Sequence, residues 1–489
     1  MNKSHHNKIL RATKFSVVCE VIAKIIAPIT TIVLARLLSQ EVFGIVASLT
    51  AITSMADMLS DAGFNAYIVQ HQFKSELEKK GSLNICFLTN ITLAFILFIL
   101  IELNRNEFSK LVGAEGYGNV LAIMAFVIPM ISVSSIEMAI MKKDLDFKSL
   151  GIIKIISKII PFLATIPLAI SGLGYWSLVI GTLVGELVGM VLCLIYGKFF
   201  PTLYFPIIYI KNIFSFSIWA YLESILEWLI ANIAILVLAT IYGVGPLGVF
   251  KVAINMVNQI TSSIYALYSN VYKSAIAKEQ FDSEGFRKMF LTFQKYTSLL
   301  SIPLGIFVFV YRDLVTDILL GSEWSEASTL IGFYCLTSTI SVAFGNFYSD
   351  AIRAKGYPSK LVIIDLIYLT FIIGLICYAS LIPFALFCIT FSIIKIIQPF
   401  FQIIIGQKVC DVPFIEVIKS SYPQIIAAII SAILAVIFGF TKLKLLWGIS
   451  TAILMFFLYF ILIYAISPDR EFYKELFYKH FVIKLKRNI

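Results

Sequence analysis

Residues 34–48 read LARLLSQEVFGIVAS, and residues 238–252 read LATIYGVGPLGVFKV. Each is a short polar break between two apolar runs, reopened by a glycine. Leu34 and Ala35 correspond to Leu238 and Ala239, and Gly44 to Gly248, all at one offset of 204 residues (238 − 34). One pattern therefore occurs twice, nearly half a chain apart, and its meaning depends on what the runs on either side of it are.

Those runs belong to a chain of 489 residues that is 59% hydrophobic and 14% charged, with a mean hydropathy of +0.91. No soluble domain of ordinary composition is so apolar. A membrane-spanning helix needs about 20 mostly apolar residues, because it alone satisfies its own backbone hydrogen bonds in hydrocarbon. Cutting the chain at charged and Gly/Pro/Asn-rich breaks leaves fourteen candidate spans, near 14–35, 42–69, 82–101, 119–141, 149–171, 174–197, 213–241, 246–272, 288–311, 327–351, 360–380, 383–406, 423–440 and 446–467. Alternating ten-residue strand patterns do not dominate. The expected fold class is an all-α polytopic membrane protein. The run from Phe15 to Leu34 is too long for a signal peptide's apolar region and carries Glu20 and Lys24, so it reads as a retained first helix.

The distribution of basic residues orients the spans, since Lys and Arg are retained on the cytoplasmic side. With the N-terminus inside, 27 of the 39 Lys and Arg fall in cytoplasmic segments, six in outer loops (Arg36, Arg105, Lys110, Arg312, Lys442, Lys444) and six within spans. An even number of helices with both termini cytoplasmic follows. The basic loops and the tail HFVIKLKRNI then face anionic lipid headgroups, which accounts for a net charge of +10 without any nucleic acid.

An offset equal to six helices makes the two halves parallel repeats. Two pseudo-symmetric six-helix lobes are expected, related by an axis along the membrane normal as in one class of secondary transporters. The boundaries would be an N-terminal lobe over 1–197, a linker over 198–212, a C-terminal lobe over 213–406, a connection over 407–422, two appended helices over 423–467 and a basic tail over 468–489.

A charge at mid-bilayer costs about 2.5 to 3.5 kcal/mol, so each one needs a partner, a wet cavity or a nearby interface. Glu137, Lys154, Lys251, Asp350 and Asp365 sit close enough to span ends to snorkel. Deeper lie pairs one helical turn apart: Glu20 with Lys24, Asp57 with Asp61, and Glu223 with Glu227. Lys158, Glu186, Lys295 and Lys395 are also well inside spans. Two readings stand side by side. Either the paired charges pin three helices together, or they line an aqueous cleft where lysines meet an anionic ligand and carboxylates carry a coupling ion. On the second reading Lys24, Lys158 and Lys295 are the candidate ligands of the anion, and Glu20, Asp57, Asp61, Glu223 and Glu227 the candidate coupling groups. Prolines at 28, 129, 161, 167, 303 and 399 are expected to kink their helices.

The chain has no P-loop, HExxH or Rossmann glycine pattern, and its four histidines lie in or beside cytoplasmic segments. Its seven cysteines show no paired spacing and read as small apolar fillers. No cofactor or metal is expected, and ATP-driven chemistry in this chain alone is disfavoured.

Four stretches, LARLLSQEVFGIVASLTAITSMADMLSDAGFNAYIVQ (34–70), GLGYWSLVIGTLVGELV (172–188), GPLGVFKVAINMVNQI (245–260) and LVTDILLGSEWSEASTLIGF (314–333), resemble the polysaccharide transporter family. These are the Wzx-type flippases of the multidrug/oligosaccharidyl-lipid/polysaccharide exporter superfamily, and the likeness runs in order over about residues 10–440. Two departures are Gln40, where Pro is common, and NVYKSAIAK, where Phe-Pro often closes the eighth helix. The resemblance implies translocation of an undecaprenyl-pyrophosphate-linked oligosaccharide, an O-antigen, capsule or exopolysaccharide repeat unit, across a bacterial cytoplasmic membrane by alternating access with ion-gradient coupling. It also implies a polysaccharide polymerase and a chain-length regulator as partners in that membrane. A cation-coupled multidrug antiporter of the same superfamily is the nearest alternative. A membrane polymerase or ligase would want a large outer loop bearing Arg or His, and the longest outer loops here hold only Arg105, Lys110 and Arg312.

Overall fold

The computed structural model describes residues 26–202, 204–439 and 445–471. Among these residues twelve helical segments are long and apolar enough to cross a membrane. In chain order the helices begin with α1 (Ile26–Ala35), α2 (Gln40–Asp61), α3 (Phe64–Gln70), α4 (Glu76–Leu103), α5 (Arg105–Leu111), α6 (Gly118–Ala125), α7 (Val127–Lys143), α8 (Phe147–Ile170) and α9 (Tyr175–Tyr196). They continue with α10 (Ile210–Tyr242), α11 (Val244–Lys278), α12 (Ser283–Val310), α13 (Arg312–Leu319), α14 (Ala327–Ile340), α15 (Asn346–Ala354), α16 (Ser359–Tyr378), α17 (Phe384–Ile394), α18 (Ile397–Cys410), α19 (Phe414–Ile437) and α20 (Leu445–Ile466).

Every expected span from 42–69 onward falls on a helix. Of the first, 14–35, only α1 is described, so Glu20 and Lys24 lie outside the described residues. The span expected at 246–272 is α11, 35 residues long. At about 1.5 Å per residue it outruns a hydrocarbon core of about 30 Å. Lys251, Asn255, Asn258 and Gln259 dilute its apolar character, which is why it stands apart from the twelve. The 407–422 connection is shorter than expected. Asp411, in the left-handed region at φ 53°, and the extended Pro413 make the turn, and α19 starts directly afterwards.

Two of the six prolines mark helix breaks, each at the position where physics places it. A proline ring collides with the carbonyl four residues earlier and removes the N–H that would bond it. Pro129 therefore sets the interruption between Ala125 and Val127, and Pro399 the one at Lys395 and Ile396. Helix α8 continues through Pro161 and Pro167 and α12 through Pro303. A further break has no proline. It is a π-helical turn over Ser341–Gly345, where Gly345 lies so close to Pro399 and Gln402 that an added Cβ would sit 2.5 Å from the Gln402 carboxamide oxygen.

The chain packs as two units, one of Met1–Gln259 with Asp365–Phe387 and the other of Ile260–Ile364 with Cys388–Ile489. In the first, α2 is central. Its residues Ile45, Leu49, Ile52 and Ala56 form one apolar stripe at helical spacing, buried against Ala94 of α4, Leu121 and Met124 of α6, and Val179 of α9. Lipid is as apolar as leucine, so apolar burial alone does not hold such helices together, and polar bonds and close backbone approach must contribute. Asn90 of α4 accepts from the Ser132 hydroxyl and donates to that of Ser135 at 3.3 Å, tying α4 to α7. The buried Glu137 carboxylate accepts the Lys198 N–H at 2.8 Å and the Phe199 N–H at 3.3 Å. These bonds anchor the start of the 198–212 linker, and Asn84 holds Thr202 by bonds of 2.7 and 3.0 Å.

The second unit is built on α12 and α19, around Phe286, Phe290, Phe347 and Tyr348. A buried Gln294 amide on α12 donates to the hydroxyls of Ser298 (2.7 Å) and Ser421 (2.9 Å) and to the Ala343 carbonyl (3.2 Å). It thereby joins α12, α19 and the π-helical turn. Asp350 is buried and accepts from the Tyr265 hydroxyl at 2.6 Å, with the Lys273 ammonium at 3.5 Å. The six cysteines among the described residues are free.

The repeated stretch has a direct structural role within the first unit. A Cβ on Gly44 would overlap the Val244 carbonyl, and a Cβ on Gly248 would overlap the Gln40 carbonyl. Gln40 and Val244 are themselves equivalent under the 204-residue offset (244 − 40). Position i of the first copy thus meets j of the second while i of the second meets j of the first, the self-complementary pattern of a two-fold contact.

Candidate functional site

Several intramembrane charges of the first unit lie in a row that starts where α8 and α9 pack as a hairpin. Glycines at 181, 185 and 189 put one bare face on α9. Against it, a Cβ on Gly185 would come 2.7 Å from Pro161 Cγ, and one on Gly189 3.2 Å from the Ser157 hydroxyl. This close approach is the familiar use of small residues every fourth position in membrane helices. Glu186, one residue beyond Gly185, is thereby brought within electrostatic reach of Lys158 on α8. Glu186 also acts on Asp57 of α2, which has Asp61 as its other charged neighbour.

Asp61 closes the row. Its carboxylate accepts from the Asn65 amide at 2.5 Å, and Lys142 of α7 lies within electrostatic reach. Lys158, Glu186, Asp57, Asp61 and Lys142, on four helices, are thus successive electrostatic neighbours. Lys158 is exposed, whereas Asp57, Asp61 and Glu186 are half-buried. A half-buried carboxylate flanked by carboxylates on one side and a lysine on the other can take up and pass on a cation or proton. An exposed lysine at its end can meet an anion.

The remaining sequence-derived candidates are placed as follows. Glu223 and Glu227 are exposed on α10. That helix lies against α2, with the Trp228 indole N–H donating to the Ser54 hydroxyl at 3.1 Å. Lys295 belongs to the second unit, in the first half of α12, where its ammonium pairs with Asp469 at 2.7 Å. Lys395, at the Pro399 break, donates to the Tyr334 hydroxyl at 2.9 Å and sits 4.4 Å from the centre of that ring. Asp57, Asp61, Glu186 and Lys158 are therefore brought together within the first unit.

Glu186 was read from the sequence as a charge well inside its span but given no role, and Lys142 was not singled out. The spacing GTLVGELVG over 181–189 carried a signal for Glu186, because it marks the close-packed face beside which the glutamate projects. A separate cavity of about 660 Å³ opens beyond α3, lined by Gln72, Phe73, Lys74, Lys79 and Lys143 among others. The Lys143 ammonium is already engaged there by the carbonyls of Ile68 and His71.

The chain is 24% identical over 358 residues to the lipopolysaccharide biosynthesis protein WzxC of Escherichia coli (strain K12), over 72% of this chain and 71% of that one. It is 21% identical over 319 residues to the succinoglycan biosynthesis transport protein ExoT of Rhizobium meliloti (strain 1021), over 65% and 64%. Among solved structures, the lipid II flippase MurJ in an inward closed conformation superposes with a TM-score of 0.72 at 16% identity, covering 96% of this chain and all of that one. An inward-facing multidrug resistance MATE transporter of the MOP superfamily gives 0.58 at 15%, over 80% and 94%. These likenesses establish a MurJ/MATE-like helical membrane fold. A family model described as polysaccharide biosynthesis protein matches residues 33–329, and the chain belongs to that family.

Proposed function

We propose that this protein translocates an undecaprenyl-pyrophosphate-linked oligosaccharide repeat unit from the inner to the outer leaflet of a bacterial cytoplasmic membrane by alternating access. Family membership and the relatives named for lipopolysaccharide and succinoglycan biosynthesis support the substrate class. The likeness to a lipid II flippase supports the fold that such a task uses. The observation that carries the reading is the exposed Lys158 in the interior of α8, with Glu186 as its electrostatic neighbour and Asp57 of α2 beyond that. A lysine in that position is expensive against lipid and inexpensive against water, so its face is assigned to an aqueous path.

The physical need is clear from the substrate. Each sugar hydroxyl moved into hydrocarbon costs on the order of 4 to 8 kcal/mol, which forbids unaided crossing of an oligosaccharide. A wet path bearing lysines removes that cost and meets the pyrophosphate, while the polyprenyl tail stays in lipid. Lys24 and Lys158 are assigned to the pyrophosphate, and Lys is apt for it as a compact charge. Glu20, Asp57, Asp61, Glu223 and Glu227, with Glu186, are assigned to ion coupling. Both termini are placed in the cytoplasm on the charge distribution, and a polymerase and a chain-length regulator would act on the product.

Deleting the gene in its host tests the reading. Loss of surface polymer, with the lipid-linked unit still made but inaccessible from outside the cell, is the expected result. Accumulation of that unit, unpolymerised, on the outer leaflet would overturn it in favour of a polymerase or ligase. Unchanged polymer with altered drug sensitivity would overturn it in favour of an antiporter.

A further inference from the structure

A second cavity, of about 450 Å³, opens in the second unit where the chain leaves α20. Lys295 and Tyr296 of α12, Lys419, Ser420 and Tyr422 of α19, and Asp469 are among the residues that line it. Its parts differ in how firmly they are held. The Lys295 side chain is only 14% exposed, and its partner Asp469 is 68% exposed. Behind the cavity the Ser420 hydroxyl donates to the Gln294 amide oxygen and the Val417 carbonyl, both at 2.9 Å, so this wall is fixed by the buried polar network.

Asp469, in contrast, is delivered by a turn. Its N–H donates to the Ser467 hydroxyl at 3.1 Å, which folds the chain back after α20 and carries the carboxylate to the lysine. The ammonium is thus a largely buried feature of the cavity and the carboxylate an exposed one. Lys419 is exposed beside them. Tyr296 and Tyr422 are amphipathic rings of the kind that settle at a membrane interface. The same helices carry exposed apolar residues, Leu300 on α12 and Ile461 and Tyr464 on α20.

We propose that this cavity binds the phosphate of an anionic lipid, with Lys295 and Lys419 as its cations and the apolar faces of α12 and α20 receiving the acyl or prenyl chain. Basic pockets between membrane helices take anionic headgroups in this way. Asp469 is the built-in competitor, holding Lys295 until a phosphate displaces it. The site serves either a bilayer phospholipid or a polyprenyl phosphate.

The test uses the full-length protein in non-ionic detergent, with lipid binding read by native mass spectrometry. Phosphatidylglycerol should be retained in preference to zwitterionic phosphatidylcholine. Asp469→Asn should tighten phosphatidylglycerol binding about twofold to fivefold, the scale of releasing a partly exposed ion pair, and Lys295→Gln and Lys419→Gln should weaken it. Equal retention of the two lipids would overturn the proposal. So would an Asp469→Asn protein that binds no more tightly, and because that residue is exposed, the variant tests the site without disturbing the core. Polyprenyl phosphate is then added as competitor. Displacement of phosphatidylglycerol assigns the site to a carrier lipid and its persistence to a bilayer lipid, both in support of the phosphate site. Loss of flippase activity in a deletion strain would be read separately and has no bearing on this binding.

Discussion

At the scale of single residues, the decisive feature is that charge is shared between helices and is not spread along one. Lys158 has Glu186 within reach on the neighbouring helix, and Glu186 in turn reaches Asp57. If Lys158 only fixed α8 against α9, its replacement would lower the amount of folded protein. If it meets the substrate, replacement removes function and leaves abundance unchanged. Lys158→Ala is expected to abolish polymer export at normal membrane abundance, measured by surface polysaccharide and immunoblot in a complemented deletion strain. Lys154→Ala, one turn away on the same exposed side, is expected to retain export and serves as the control. Normal export in the Lys158→Ala strain would remove Lys158 from the site.

The same residues show how much of the site the sequence disclosed. Asp57, Asp61 and Lys158 were legible because a charge inside an apolar span is costly enough to demand a reason. Their partners were less so. Glu186 becomes a partner through the glycine face beside it, and Lys142 sits at a span end where the bland expectation is snorkelling. Glu137 and Asp350 were read as end-of-span charges. Each is instead buried and satisfied, by backbone N–H groups of the linker and by Tyr265 with Lys273 respectively. Which backbone folds back onto a carboxylate is a tertiary fact with no periodic signal.

At the scale of elements, apolar runs set helix positions well, and the finer breaks obey local chemistry. The interruptions at Phe126 and at Lys395–Ile396 lie where Pro129 and Pro399 dictate, while the π-helical turn at Ser341–Gly345 had no proline to announce it. It coincides with the near contact of Gly345 with α18. The α8–α9 hairpin depends on the same kind of closeness. Gly185→Ala would place a methyl 2.7 Å from Pro161 Cγ and force the helices apart, at a cost of about 1 to 3 kcal/mol for overpacking. A lowered melting temperature in detergent is the expected outcome. Gly374→Ala, at a helical position with no atom within 4 Å of the added Cβ, should leave the melting temperature unchanged or raise it, since alanine favours helix over glycine by roughly 0.5 to 1 kcal/mol. Equal effects of the two substitutions would show that the α8–α9 contact does not limit stability.

At the scale of the whole molecule, the repeat explains itself through the contact it makes. Two short stretches with one pattern are joined by two crowded approaches that the offset exchanges, Gly44 on Val244 and Gly248 on Gln40. On the alternating access proposed above, each end of the path must close and then release, and two backbones in glycine-to-carbonyl contact would make a closure that is tight and needs no side chain to be withdrawn. Symmetry makes this a quantitative expectation. Gly44→Ala and Gly248→Ala each insert one methyl into an equivalent contact, so each should impair export by a similar factor and leave abundance largely intact. Once the first methyl has separated the backbones, the second meets an interface already opened. The double variant should therefore fall well short of the product of the two single effects, the signature of coupled neighbours. Export rates of the two single variants and the double, normalised to membrane abundance, provide the measurement. Multiplicative effects, or a loss confined to one of the two glycines, would mean that the repeated stretches do not close the path as a pair.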